Sequence, residues 1–135
     1  MDYLLKYDVV NLNEIKTDLQ VFLPGYESYM NYDKRNPHRG GTCVLIMQHL
    51  CKYVTELHIT IKDQVWLKLS CAPGVIFGFG YVPPSSSPYF DYALQCSIQD
   101  KIKLSLTSIG VVLMGDMNAE FGKIVKELPV TINLD

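Results

Sequence analysis

The stretch that most constrains the fold is a run of four apolar residues, Val111 to Met114, followed by Gly115, Asp116 and Asn118. A short apolar run of this kind predicts a strand buried in a sheet. Its carboxyl end then carries an acid and an amide two residues apart. Oxygen ligands at the end of a buried strand lie where α/β folds place their binding sites. We therefore expect the rest of the chain to be organised around this strand end.

The composition predicts one folded domain. The chain has 135 residues, of which 48% are hydrophobic and 19% are charged, and this is typical of globular rather than disordered proteins. A formal net charge of −2 does not indicate a nucleic-acid partner, which would need a local basic patch. No segment approaches the ~18 apolar residues of a membrane span, so no membrane partner is expected.

The four cysteines are Cys43, Cys51, Cys71 and Cys96. Their wide, irregular spacing lacks the pattern of a structural zinc site. Each has apolar neighbours, so the sequence predicts buried free thiols. Free thiols fit a reducing, intracellular compartment, either nuclear or cytoplasmic.

Apolar and alternating segments predict a series of strands. The expected ranges are 7–13, 26–32, 42–47, 54–61, 64–69, 75–82 and 111–114. The fourth and fifth of these strands, joined by a tight turn at Lys62 and Asp63, are expected to form a β-hairpin. Residues 87–102 predict an amphipathic helix, because apolar side chains recur every four residues from Phe90 to Ile102. This order predicts a mixed α/β or α+β layer fold.

Three polar side chains follow predicted strands: Glu14, Asp116 and Asn118. If their strands are neighbours in one sheet, two carboxylates and an amide oxygen converge. That set suits Mg²⁺ or Mn²⁺, which prefer oxygen ligands and keep waters for a phosphate substrate. The alternative is a turn in which Asp116 and Asn118 bond their own backbone.

Two further features have both a functional and an ordinary interpretation. Tyr81 ends another apolar strand, where its phenol could hydrogen-bond a phosphate or simply lie at the rim of the core. The loop 33–41 concentrates Lys34, Arg35 and Arg39. It is either a solvated loop or a basic patch that faces phosphates.

Six stretches occur in an order that is shared with a known superfamily. They are 7–14 (YDVVNLNE), 23–26 (LPGY), 39–41 (RGG), 64–67 (QVWL), 81–84 (YVPP) and 115–119 (GDMNA). Taken together they resemble the endonuclease/exonuclease/phosphatase superfamily, in particular the nuclease domains of non-LTR retrotransposons and their domesticated relatives. The series spans nearly the whole chain.

The resemblance implies a sandwich of two sheets flanked by helices, and Mg²⁺-dependent hydrolysis of a phosphodiester by water. At the matching positions it implies that Glu14 binds the metal and that Tyr81 contacts the scissile phosphate. It also implies that Asp116 orients or activates the attacking water and that Asn118 steadies the phosphate. DNA or another phosphodiester is then the expected partner, held through the basic loop.

The sequence also departs from the superfamily pattern. Members start with an asparagine-bearing strand and end with a Ser-Asp-His motif, and neither occurs here. Residues 1–135 are therefore expected to be a partial domain that lacks the N-terminal strand and the C-terminal part. Three functions stay open: a DNA endonuclease-like hydrolase that is inactive if the histidine is lost, a non-catalytic remnant that binds nucleic acid or a protein, and a phosphomonoesterase.

Overall fold

The computed structural model describes residues 6–58, 62–84, 86–88 and 110–116. The elements, in chain order, are β1 (Val9–Asn13), β2 (Tyr26–Asn31), β3 (Thr42–Met47), α1 (Gln48–Cys51), β4 (Val54–Leu57), β5 (Gln64–Leu69), β6 (Val75–Tyr81) and β7 (Gly110–Asp116). Within these ranges no helix is long and apolar enough to cross a membrane. Almost all of the helix expected over 87–102 lies outside the described residues.

The strands form two sheets. In the first, β3 lies between β1 and β2 and is antiparallel to both. In the second, the order is β4-β5-β6-β7, with antiparallel pairs except for the parallel pair of β6 and β7. Strand β1 packs against β6 and β7, while β2 and β3 pack against β5. This confirms the expected two-sheet sandwich of mixed, mostly antiparallel strands, since only the pair of β6 and β7 is parallel.

Strand β3 is buried on both faces, which explains its uninterrupted apolar sequence. Val44 and Ile46 pack between the two sheets with side chains from β5 and β6. Cys43 and Leu45 point to the opposite face, where the segment from β1 to β2 covers them. Because successive side chains of a strand point to opposite faces, this one strand contributes to two hydrophobic clusters.

Some strand boundaries match the prediction and others do not. The strand expected over 54–61 ends at Leu57, which pairs with Trp66, so more than the two residues of the expected tight turn separate the paired strands. Strands β3 and β5 have the expected bounds, and the hairpin of β4 and β5 is confirmed by the pairing of Val54 with Leu69. Helix α1 was not expected, and it consists of one turn directly after β3. Helix α1 is the only helix among the described residues, and flanking of the sandwich by further helices stays a prediction.

The prediction of buried cysteines is wrong for Cys71, which is exposed. Its neighbours in sequence are apolar, but it lies in the turn between β5 and β6, at the end of the sheet. Cys43 is fully buried, and burial raises the pKa of its thiol to about 11. Cys51 is half-buried, all three are free thiols, and Cys96 lies outside the described residues.

Candidate active site

Strand ends from both sheets meet at one end of the sandwich. Strands β1, β6 and β7 end there, and β3 and β5 begin there, as their pairing directions require. Glu14 directly follows β1, while Tyr81 and Asp116 are register partners at the ends of β6 and β7. The structure thus brings three of the four predicted site residues to the same end. The fourth, Asn118, lies outside the described residues.

The surroundings of Tyr81 show that these side chains are neighbours. Burial raises the pKa of Tyr81 to about 12, together with a hydrogen bond to the Glu14 side chain and the negative charges of Glu14, Asp116 and Asp63. The phenol therefore keeps its proton at neutral pH and acts as a hydrogen-bond donor. The site combines one protonated phenol with three carboxylates.

The backbone at Glu14 has an unusual conformation. Glu14 has a φ of 53° and Lys16 a φ of 52°, values that most side chains rarely adopt. The Lys16 Nζ and Glu14 Oε2 atoms are 3.8 Å apart, and both side chains are largely exposed. Exposed ion pairs of this kind are weak, so the Glu14 carboxylate is accessible to an incoming ligand.

Asn13 connects the strand ends of the two sheets. In the amide orientation that satisfies its neighbours, Nδ2 donates to the Gly80 carbonyl at 3.2 Å, and Oδ1 accepts from the Asp116 N–H at 3.0 Å. In this orientation the Asn13 Nδ2 atom also lies 3.4 Å from the Thr42 hydroxyl oxygen. Asn13 therefore fixes the backbone beside Glu14 relative to the backbone of Asp116.

Replacing Asn13 with Ala is expected to lower the free energy of unfolding by about 1–3 kcal/mol, because the carbonyl of the buried Gly80 and the N–H of Asp116 lose their hydrogen-bond partner. Urea denaturation measures the change. Asn11→Ala is the matched control, because Asn11 lies on the same face of β1 and its buried Oδ1 has no hydrogen-bond partner in the described part of the chain. An equal loss of unfolding free energy in both variants would contradict the proposed hydrogen bonds from Asn13 to Gly80 and Asp116.

Two polar residues at this end, Asn13 and Asp63, are not predicted as site residues from the sequence. Asn13 could have been recognised from the sequence. Asn11 and Asn13 are two residues apart, so they share a face of β1, and in a sandwich that face would otherwise be apolar. For Asp63 the sequence predicts only a tight turn with Lys62. Asp63 is 7% exposed, and no sequence pattern distinguishes a buried turn aspartate from a solvated one.

The basic loop starts and ends at the same end of the sandwich, since it connects β2 to β3. Arg35 is 95% exposed, and its Nε atom is 3.8 Å from Oδ1 of Asp33. The Lys62 Nζ atom is 3.8 Å from the other oxygen of Asp33. Asp33 therefore offsets part of the loop's positive charge.

The donors around Tyr81 fit a hard cation. The charges that raise the pKa of Tyr81 are those of carboxylates, and carboxylates repel a phosphate unless a cation lies between them. Mg²⁺ is commonly held by one or two carboxylates and keeps several waters. Glu14 and Asp116 suit that coordination, although no three His, Cys, Asp or Glu side chains in the described ranges form a larger metal-binding group.

A comparison with models of protein families shows which family the sequence matches. The family model described as "Endonuclease/Exonuclease/phosphatase family" matches residues 1–134. No curated protein matches the chain. The match covers almost the full length of the sequence, including β1, β6 and β7, whose ends form the site.

Proposed function

The chain belongs to the endonuclease/exonuclease/phosphatase family, and we propose that it is a Mg²⁺-dependent hydrolase of phosphodiester bonds in DNA. The observation that carries the proposal is the cluster around Tyr81. A protonated phenol lies beside the carboxylates of Glu14, Asp116 and Asp63, at an end of the sandwich built from both sheets. A phosphate diester needs a cation and hydrogen-bond donors at its oxygens, and this cluster can provide both.

Each residue has a proposed role that follows from its chemistry. Glu14, with its accessible carboxylate, would hold the Mg²⁺, which when bound polarises a phosphoryl oxygen. Tyr81 would donate its hydroxyl hydrogen to a phosphate oxygen. Asp116 would orient the attacking water and accept its proton. Asn118 would steady the phosphate through its amide.

The proposed substrate is DNA. The sequence motifs resemble the nuclease domains of non-LTR retrotransposons, and this resemblance favours DNA over a phosphomonoester. Lys34, Arg35 and Arg39 belong to the loop from β2 to β3, which starts and ends at the same end of the sandwich as the site, and they would contact the phosphates on either side of the cleaved bond. Binding through these contacts should weaken as the salt concentration rises.

The proposal is tested by nicking of a supercoiled plasmid. Nicking should require Mg²⁺ or Mn²⁺ and stop when EDTA is added. Glu14→Gln keeps the size of the side chain but removes its charge, and it should raise the Mg²⁺ concentration for half-maximal nicking by about tenfold or more. Glu27→Gln, which removes an exposed carboxylate from the other end of β2, should behave like the unmodified chain. Nicking that persists in EDTA would contradict the metal proposal.

A second candidate function is binding without catalysis. Strand β7 is the outermost strand of the described four-stranded sheet, and its Val112 and Met114 are 40% and 37% exposed. Exposed apolar side chains on an outer strand favour contact with a partner. Plasmid binding in a gel-shift assay with no nicking at any Mg²⁺ concentration would favour this function over the first.

A further inference from the structure

Asp63 is a buried carboxylate to which neither the sequence analysis nor the proposed chemistry gives a role. It lies between the β4–β5 loop and β5, with a φ of 61° and 7% exposure. Burial raises the pKa of its carboxyl group, although the Gly41 N–H and the positive charge of Lys62 oppose that shift. Buried carboxylates are costly unless they are hydrogen-bonded, so the partners of Asp63 indicate why it is there.

The carboxylate of Asp63 holds the turn formed by Gly40 and Gly41. Its Oδ1 accepts a hydrogen bond from the Gly41 N–H at 2.7 Å. A Cβ atom at Gly40 would lie only 2.9 Å from Oδ2 of Asp63. The glycines have φ values of 62° and 87°. The carboxylate therefore packs directly on a backbone turn that only residues without a side chain can form at this distance.

The backbone carbonyl of Asp63 joins the two sheets. It accepts a hydrogen bond from the Thr42 hydroxyl at 2.8 Å and one from the Tyr81 N–H at 3.3 Å. Thr42 is the first residue of β3, in one sheet, and Tyr81 is the last of β6, in the other. The position of Asp63 is thus fixed relative to both sheets.

The Gly40–Gly41 turn is hydrogen-bonded to the segment that carries Glu14. The Ile15 N–H donates to the Gly41 carbonyl at 3.3 Å, and the Lys16 N–H donates to the Gly40 carbonyl at 2.9 Å. These bonds are made by the two residues that follow Glu14, in the segment where Glu14 and Lys16 have left-handed backbone. Backbone in that region persists only where the surroundings fix it.

We propose that Asp63 is a positioning residue that sets the Glu14 carboxylate through the Gly40–Gly41 turn. The proposal rests on the proposed function for its catalytic meaning, because it assumes that Glu14 holds the metal. The path is continuous: the Asp63 carboxylate holds the Gly41 N–H, and the two glycine carbonyls hold the amides that follow Glu14. Asp63 acts as a hydrogen-bond acceptor on this path, so its charge is not essential.

Three substitutions separate acceptor geometry from charge. Asp63→Ala removes the acceptor. Asp63→Asn keeps an oxygen in the same place without the charge, and Asp63→Glu keeps the charge but moves it by one methylene group. Asp33→Ala is the control, because it removes a carboxylate close to Asp63 that makes no bond to the glycine turn.

The first measurement is amide hydrogen exchange in the full chain. In Asp63→Ala and Asp63→Glu, the amides of Ile15 and Lys16 should exchange about tenfold faster or more, because their opening becomes easier. In Asp63→Asn and Asp33→Ala the exchange should stay near that of the unmodified chain. Unchanged exchange in folded Asp63→Ala would overturn the proposal. If that variant does not fold, Asp63→Asn and Asp63→Glu decide it, since equal exchange in the two would overturn it.

The second measurement is Mn²⁺ affinity, followed by the electron paramagnetic resonance of free Mn²⁺. Asp63→Ala should weaken binding by about tenfold or more, as is common when a residue that orients a metal ligand is lost. In a Glu14→Gln background the same substitution should cause no further loss, because Asp63 acts through Glu14. A full further loss in that background would overturn the proposal. If the unmodified chain binds no Mn²⁺, the metal proposal fails, and the amide exchange alone decides the role of Asp63.

Discussion

Asp116→Ala is expected to lower Mg²⁺-dependent plasmid nicking by about 100- to 10,000-fold, the usual range for loss of a group that accepts a proton from the nucleophile. Asp116 is paired in register with Tyr81 at the end of β7. Its backbone is held through the Val82 N–H, which donates to the Asp116 carbonyl at 2.9 Å. Because the backbone bonds do not involve the side chain, the substitution should leave the strand in place and remove only the carboxylate.

The control for this experiment is Asp18→Ala, which removes an exposed carboxylate from the segment between β1 and β2. It should nick like the unmodified chain. Both variants should unfold at the same urea concentration as the unmodified chain, so that a loss of nicking reports on chemistry. Nicking that Asp116→Ala retains in full would show that the proposed proton acceptor is wrong.

Gly115→Ala is expected to destabilise the fold by about 2–5 kcal/mol, through backbone strain and forced overlap together. Gly115 has a φ of 138°, and a Cβ atom there would overlap the carbonyl oxygen of Gly80 on the neighbouring strand. To relieve this overlap, β6 and β7 must move apart at the end where they carry Tyr81 and Asp116. A loss of this size is a large part of the stability of a small domain.

Gly110→Ala is the matched control, because Gly110 begins the same strand and a Cβ atom there would have no neighbour within 4 Å. Its unfolding midpoint in urea should stay close to that of the unmodified chain or rise slightly, since Ala restricts the unfolded chain more than Gly does. Similar midpoints for Gly110→Ala and Gly115→Ala would contradict the close approach at Gly115.

Much of the fold could be predicted because its strands carry strong local signals. The apolar run of β3 and the alternating pattern of β5 predict where each strand begins and ends, and the predicted bounds match the structure. The parallel pairing of β6 with β7 could not be predicted, because the sequence does not show which strands become neighbours. Cys71 shows the same limit, since apolar neighbours in sequence do not bury a residue that lies in a turn.

Some residues of the candidate site could likewise be predicted from the sequence, and others could not. Glu14, Tyr81 and Asp116 could be proposed as neighbours because each follows or ends a recognisable strand, and their motifs occur in family order. Asp63 and the glycine turn could not, because their interaction joins the start of β5 to the start of β3. Long-range hydrogen bonds of this kind leave no periodic pattern in the sequence.

The link from Asn13 to Asp116 has a consequence for how the molecule is made. It joins the first strand of the described chain to the last, and contacts between distant parts of a chain form late in folding. During synthesis, the sheet of β1, β2 and β3 can form on the ribosome well before β7 emerges. The candidate site can therefore form only after β7 has emerged, so chains that stop before β7 would lack its Asp116 side.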